Sequence, residues 1–341
     1  MAARTSSRSW QVHRLGPPAE ALRLEERDHR PPGPGEVRVA VSAVGLNFPD
    51  LLVCAGGYQE RPALPFSPGF EAAGTVAESG PDSGIGAGTS VLVVPELPEG
   101  AMQESLTVPA SQVYPVPDEM PATTAAVLHV AYATAHAALH RRGALRTGET
   151  VLVSGGSGGV GSAAIQLAKA AGAYVVALAT GRRKTDACRA FGADLAIDLG
   201  EEDTDRLPAR VREATGGRGA DVIVDVVGGA LFQQLRRCVA FEGRLVSVGF
   251  TGGELPSAPV NHVLLRNYAV TGLHLAAYRR ENPAALRGIH DDLVELWRSG
   301  AIVPAIHAEL PFEQAPAGLE LLAAREVVGR VVLRCAPGTA G

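Results

Sequence analysis

The sequence has few lysines and cysteines, no basic run and no long apolar run, and the last three features narrow the classes of function open to it. Only two lysines occur, Lys169 and Lys184. No basic run or stripe is present that could track a nucleic-acid backbone. The formal net charge of −5 points the same way. Four cysteines, Cys54, Cys188, Cys238 and Cys335, lie far apart without a C-x-x-C pair. They predict a reduced, cytoplasmic chain and no disulfide framework. No run of about eighteen consecutive apolar residues is found, so no membrane span is expected. The opening MAARTSSRSWQVHRLG is polar and lacks the apolar core of a secretory leader.

What remains is a globular composition: 46% apolar and 20% charged residues over 341 positions, enough for two domains. The first third is rich in proline, glycine and short β-like runs. In EVRVAVSAVGLN, Val37, Val39 and Val41 fall on one face, and EAAGTVAESG and TSVLVVP read as further strands. This texture predicts an all-β, barrel-like domain. From about Pro121 it changes. TTAAVLHVAYATAHAALHRRGAL reads as a helical stretch ending near Gly143. Continuous apolar strands then alternate with amphipathic helices: VLVSG, GSAAIQLAKAAGA, YVVALAT, RKTDACRAFGA, LAIDLG, DRLPARVREATGG, DVIVDVVGG, ALFQQLRRCVAFEG and RLVSVGF. That alternation predicts a doubly wound α/β domain with a parallel sheet covered on both faces. NYAVTGLHL adds a strand, DDLVELWRSG a helix and RVVLRC a final strand.

The stretch VLVSGGSGGVGSAA, Val151–Ala164, carries the chemistry. GGSGG fits an elbow that exposes a nucleophilic serine, for which Asp225 and His262 could supply the acid and base. GSGGVG fits G-x-G-x-x-G, the turn that lays a pyrophosphate on a helix N-terminus. A strand before, a helix after and a second strand about 20 residues on favour the second reading. The backbone of Gly158, Gly159 and Val160 and the Ser157 hydroxyl would then face phosphate. The second strand ends at Thr180 with GRRK following, where NAD sites usually carry an acid. Thr180, Gly181, Arg182 and Lys184 instead offer a hydroxyl and cations to a 2′-phosphate, which points to NADPH.

Taken in order, SAVGLNFPDLLVCAGGY, LPFSPGFEAAGTV, AYATAHAAL, VLVSGGSGGVG, GGRGADVIVDVVGG, FEGRLVSVGF and GRVVL resemble the zinc-independent quinone oxidoreductase (zeta-crystallin-like) branch of the medium-chain dehydrogenase/reductase superfamily. The resemblance covers nearly all of residues 10–335. It implies a GroES-like catalytic domain from residues 1–128 and 273–341, and an inserted Rossmann domain from residues 129–272. It also implies NADPH, a small quinone or enone substrate and a homodimer joined near VTGLHL. Zinc-dependent members carry a ligand where this chain has Phe70, which cannot bind a metal. No metal is expected, and the spacing of His136 and His140 does not make a site by itself.

The resemblance further implies roles for individual residues. Asn47 and Thr134 would line the nicotinamide pocket, and Tyr58 would sit on the cleft side as proton donor or substrate contact. Val227, Val248, Gly249 and Phe250 at strand ends, Leu273 and His274, and Arg330 would border the cofactor. Leu52 stands where many relatives carry an aromatic, which widens the substrate side. Asp198-Leu199 stands where many carry Asn-Tyr or Asn-His, which is expected to loosen the adenine side. Reducing an isolated carbonyl makes a localised alkoxide that favours a Lewis acid. Hydride addition to a quinone or enone makes a delocalised anion that hydrogen-bond donors can hold. The expected activity is therefore NADPH-dependent reduction of a quinone or of the C=C of an α,β-unsaturated carbonyl. A dedicated biosynthetic enone reductase and a low-turnover NADPH-binding structural or sensor protein are the alternatives.

Overall fold

The computed structural model describes residues 6–335. The chain forms two compact units: one runs through Val130 and resumes at Ile306, and the other is Ala131–Ala305. Seven strands precede the boundary: β1 (Ser6–Val12), β2 (Leu22–Asp28), β3 (Glu36–Leu46), β4 (Glu71–Ser79), β5 (Ser90–Val93), β6 (Ser105–Pro109) and β7 (Val113–Pro115). Six belong to the second unit: β8 (Thr150–Val153), β9 (Tyr174–Ala179), β10 (Leu195–Asp198), β11 (Ala220–Asp225), β12 (Val239–Ser247) and β13 (Ala269–Gly272). Two return to the first, β14 (Ile306–Pro311) and β15 (Arg330–Arg334).

In the first unit β3 is the spine. It pairs antiparallel with β15, β4 and β6, and the seven-stranded sheet continues through β5 to β7. The alternation in its sequence is the reason: Val37, Val39 and Val41 all face the core. Trp10, Phe66, Met102 and Phe312 fill the same core, and the Trp10 indole N–H donates to the Phe312 carbonyl at 2.9 Å.

The second unit holds six parallel strands in the order β10-β9-β8-β11-β12-β13. Numbered within the unit this is 3-2-1-4-5-6, the doubly wound order of dinucleotide-binding domains. β8 is buried along its whole length, as a central strand covered on both faces must be. Because every strand runs the same way, the segments that follow them lie along one edge of the sheet. The direction of the chain reverses there between β8 and β11.

Two expectations are corrected. ALFQQLRRCVAFEG is helical only over Gly229–Cys238, and Val239 already belongs to β12. Val239 pairs with Ala220, and the register then shifts before Val222 meets Arg244. The extra residues form a bulge in which Glu242 takes φ +57°. The expected domain seam at 272/273 also moves, because residues 273–305 group with the second unit. The helix Pro283–Arg298 buries Leu286, Ile289 and Leu293. Gln166 further clamps Val303 by donating to its carbonyl at 3.1 Å and accepting its N–H at 2.6 Å.

Candidate functional site

The glycine turn follows β8 directly. Gly155 sits at φ +59°, and a Cβ on Gly161 would lie 2.1 Å from the Gly155 carbonyl oxygen. These two positions need glycine for the chain's own geometry. Gly158 differs, since a Cβ there would meet nothing nearer than 3.5 Å. Its missing side chain leaves space facing outward from the turn. The helix Gly159–Ala170 starts at Gly158 with no side-chain cap and no acidic residue in its first turn. Its first N–H groups are thus available to an anion. Ser157 lies beside them, buried.

Apart from Thr134, the other predicted cofactor residues of this unit share that sheet edge. Thr180, Gly181, Arg182 and Lys184 follow β9, and Val227 follows β11. Val248, Gly249 and Phe250 follow β12, and Leu273 and His274 follow β13. Thr134 opens a short α-helical turn between two π-helical stretches, His129–Ala133 and Ala137–Arg142. Such π segments recur at functional sites.

Sequence reasoning missed what organises this edge. Asp225, at the end of β11, is fully buried, and its Oδ1 accepts the Ser154 hydroxyl at 2.6 Å. The same oxygen accepts the N–H groups of Val227 at 3.0 Å and Gly228 at 3.1 Å. Ser154 Oγ in turn accepts the Val226 N–H at 3.0 Å. Carbonyls of the loop so held accept from the next one: Val226 from the Thr251 N–H, Val227 from the Gly252 N–H. Asp225 therefore fixes two neighbouring strand-end loops at the reversal point. It does not form a hydrolase triad, for its carboxylate is taken up by these donors and His262 Nδ1 lies 3.1 Å from the Tyr268 hydroxyl.

In the first unit, four polar side chains form a buried cluster: Asn47, Asp50, Glu71 and Arg330. Asn47 precedes the helix Phe48–Cys54, and Asp50 Oδ2 accepts the Asn47 N–H at 2.7 Å. Glu71 Oε1 accepts from Arg330 Nη2 at 2.5 Å and from Asn47 Nδ2 at 3.2 Å. Its Oε2 accepts the Val130 N–H at 2.8 Å. Burial pushes the Glu71 carboxyl up, and the Arg330 guanidinium and these donors oppose it. Burial also pushes the Asp50 carboxyl up to about 7, against the Asn47 N–H. Asp50 Oδ1 is buried and has no hydrogen-bond partner in the structure. Arg330, expected beside the cofactor, bonds Glu71 through Nη2, and its buried Nε has no hydrogen-bond partner.

Tyr58 packs edge-on against Phe70, ring centroids 5.4 Å apart at 63°. The His136 and His140 rings lie 4.6 Å apart, tilted at 53°, with His136 Nε2 at 3.4 Å from Asp292 Oδ2. Burial, aided by His140, lowers His136 to about 4, so it is neutral at ordinary pH. Among the described residues, no three His, Cys, Asp or Glu side chains gather into a metal-binding group.

The reversed parallel sheet with an uncapped glycine turn at its switch point, carried on the same chain as an antiparallel β unit, defines a dinucleotide-dependent oxidoreductase of the medium-chain class. Residues 33–118 match the alcohol dehydrogenase GroES-like domain family, and residues 159–291 match the zinc-binding dehydrogenase family. Quinone oxidoreductase-like protein 2 of Bos taurus is 36% identical over 315 residues, 92% of this chain and 88% of that one. The homolog of that protein in Nematostella vectensis is 35% identical over 304 residues, 88% of this chain and 82% of that one. Among solved structures, mycobacterial Rv1454c complexed with NADPH superposes with a TM-score of 0.88 at 31% identity, covering 96% of this chain and 99% of that one. Escherichia coli quinone oxidoreductase complexed with NADPH gives 0.88 at 27% identity, covering 96% and 99%. The chain belongs to the zinc-independent quinone oxidoreductase branch of the medium-chain dehydrogenase/reductase superfamily.

Proposed function

We propose that the chain reduces a quinone, or the C=C bond of an α,β-unsaturated carbonyl compound, with NADPH. Bound NADPH supplies the hydride. The carrying observation is the contrast between the two strand-end turns. One presents bare backbone N–H groups. The other follows Thr180 with the Gly181–Lys184 run and has no acid in the first turn of its helix, Arg182–Ala190. Gly158, Gly159 and Val160 bind the pyrophosphate, and Thr180, Arg182 and Lys184 bind the 2′-phosphate. Each charge-assisted contact is worth about 1.5–3 kcal/mol. Arg182→Ala with Lys184→Ala should weaken NADPH binding by about a hundredfold or more and leave NADH nearly unchanged. Equal losses for both cofactors in a titration would contradict the assignment.

On the substrate side, Asn47 is held by Glu71 and Asp50, so it orients the nicotinamide ring and its ribose from a rigid mount. The anion left by hydride addition is spread over a conjugated system, and Tyr58 or a water beside it supplies the proton. Tyr58→Phe should slow turnover at least about tenfold with little change in NADPH affinity, the scale of general-acid assistance. The decisive test follows deuterium from C4-labelled NADPH across a panel of quinones and enones. Label at the β-carbon of an enone product supports this chemistry; label at a carbinol carbon means carbonyl reduction and overturns it.

The assembly we propose is a homodimer in the cytoplasm. All four cysteines are unpaired, as a reducing compartment would keep them. Among the described residues no helix is long and apolar enough to cross a membrane. β13 closes one end of the sheet and, among the described residues, pairs only with β12. Beside it in sequence, the helix Val260–Arg266 exposes Val260, Leu264 and Leu265 by 71–78%. An open strand edge with an apolar helix face suits self-pairing. Sedimentation should give twice the chain mass, and Leu264→Arg with Leu265→Arg should give monomers. A monomeric parent protein would reject the dimer.

A further inference from the structure

The turn after β9 is held by a residue from the next strand. Asp198 ends β10, in register with Ala179 of β9. Its Oδ1 accepts the Gly181 N–H at 2.7 Å and the Gly200 N–H at 2.9 Å. The Leu199 N–H donates to the Ala179 carbonyl at 2.9 Å, which ties the two strand ends a second time. Asp198 and Leu199 thus fasten the turn after β9 to the end of β10. Gly181 sits at φ +90°, where a side chain would be strained, and caps the helix that begins at Arg182. The Arg182 side chain is 91% exposed and lies only 3.9 Å from Asp186, too long for a hydrogen bond. The acid missing from the end of β9 is thus supplied from β10. Its carboxylate lies at the backbone between Thr180 and Arg182, the residues assigned to the 2′-phosphate.

We propose that Asp198 is a specificity-setting and positioning residue for the cofactor. Its hydrogen bond to Gly181 holds the turn that presents Thr180 and Arg182. Its negative charge opposes a 2′-phosphate and keeps the preference for NADPH over NADH below what the cations alone would give. The two roles separate by substitution. Asp198→Asn keeps an oxygen for the Gly181 N–H and removes the charge. Asp198→Ala removes both. The proposal rests on the NADPH reading, and fragments of the cofactor test the two apart.

The experiment is calorimetric titration of the full chain with adenosine 2′,5′-bisphosphate and with adenosine 5′-monophosphate, at low and at high salt. The parent protein should prefer the bisphosphate. Asp198→Asn should bind the bisphosphate about threefold to tenfold tighter at low salt, the size of one screened like-charge interaction near a surface. The monophosphate should be unaffected, and the gain should shrink at high salt. Asp198→Ala should weaken both fragments; if it fails to fold, the Asn variant alone carries the test. An Asn variant that binds the bisphosphate like the parent, or that shifts both fragments equally, overturns the proposal. A parent that does not prefer the bisphosphate sinks the cofactor reading instead. The Asp198 proposal then still stands or falls on whether the Asn variant creates a preference.

Discussion

Arg330→Ala is expected to lower the stability of the folded chain by about 3–5 kcal/mol, the cost of leaving one partner of a buried ion pair alone. Glu71 is completely buried, and among the described residues Arg330 is its only cationic hydrogen-bond partner. Removing the guanidinium leaves a carboxylate with two neutral donors, the Val130 N–H and the Asn47 amide. The loss should depend on pH, and the sign is fixed by the direction of the shift. Burial already pushes the Glu71 carboxyl up, and loss of Arg330 pushes it further. A carboxyl whose folded pKa is raised favours the folded state at low pH, and that contribution is lost as pH rises through the folded value. Urea midpoints of the variant should therefore fall further below the parent at pH 8 than at pH 5. Glu71→Gln combined with Arg330→Met should recover much of the loss, because no charge is then left buried. Equal losses at both pH values would show that Glu71 does not carry the charge.

Gly161→Ala is expected to reduce NADPH affinity by at least about a hundredfold, roughly 2.7 kcal/mol, and to lower stability as well. The added Cβ would lie 2.1 Å from the Gly155 oxygen and 2.8 Å from its carbonyl carbon. Neither is a flexible side chain, so the helix must move away from the turn and its N–H groups lose their aim. Gly158→Ala is the control that separates folding from binding. Its Cβ has 3.5 Å of clearance within the protein, so melting should be unchanged. NADPH affinity should still fall, because the methyl group occupies the space the pyrophosphate needs. A Gly158→Ala protein that binds NADPH like the parent would place the phosphates elsewhere.

The glycine turn was legible because its signal is local. A strand, a glycine run and a helix within about thirty residues make one β-α-β unit, and each glycine answers a demand of its immediate neighbours. The strand and helix pattern of the second unit was legible for the same reason. It failed at Val239, where a helical pattern ran on into a buried β-branched residue. Only the ladder with Ala220 decides that the helix stops at Cys238. The helix Pro283–Arg298 was half legible: its apolar spacing was visible, but not the unit it joins. That depends on contacts such as Gln166 with Val303, 137 residues apart.

By itself the sequence determined that the chain has a dinucleotide turn, an acid-free second strand end followed by cations, alternating strands at the start and no metal-binding donor at Phe70. Each is a property of a residue and its near neighbours, which periodicity and side-chain chemistry express directly. The tertiary structure decided which polar groups meet. Ser154 and Asp225 are 71 residues apart and touch because β8 and β11 are adjacent at the switch point. Asp198 reaches Gly181 because β10 lies beside β9. Glu71 finds Arg330 across 259 residues because β15 returns to pair with β3, next to β4. A strand's sequence records which face is buried but not which strand lies alongside. Strand order settles that, and with it the long-range partners of Asp225, Asp198 and Glu71.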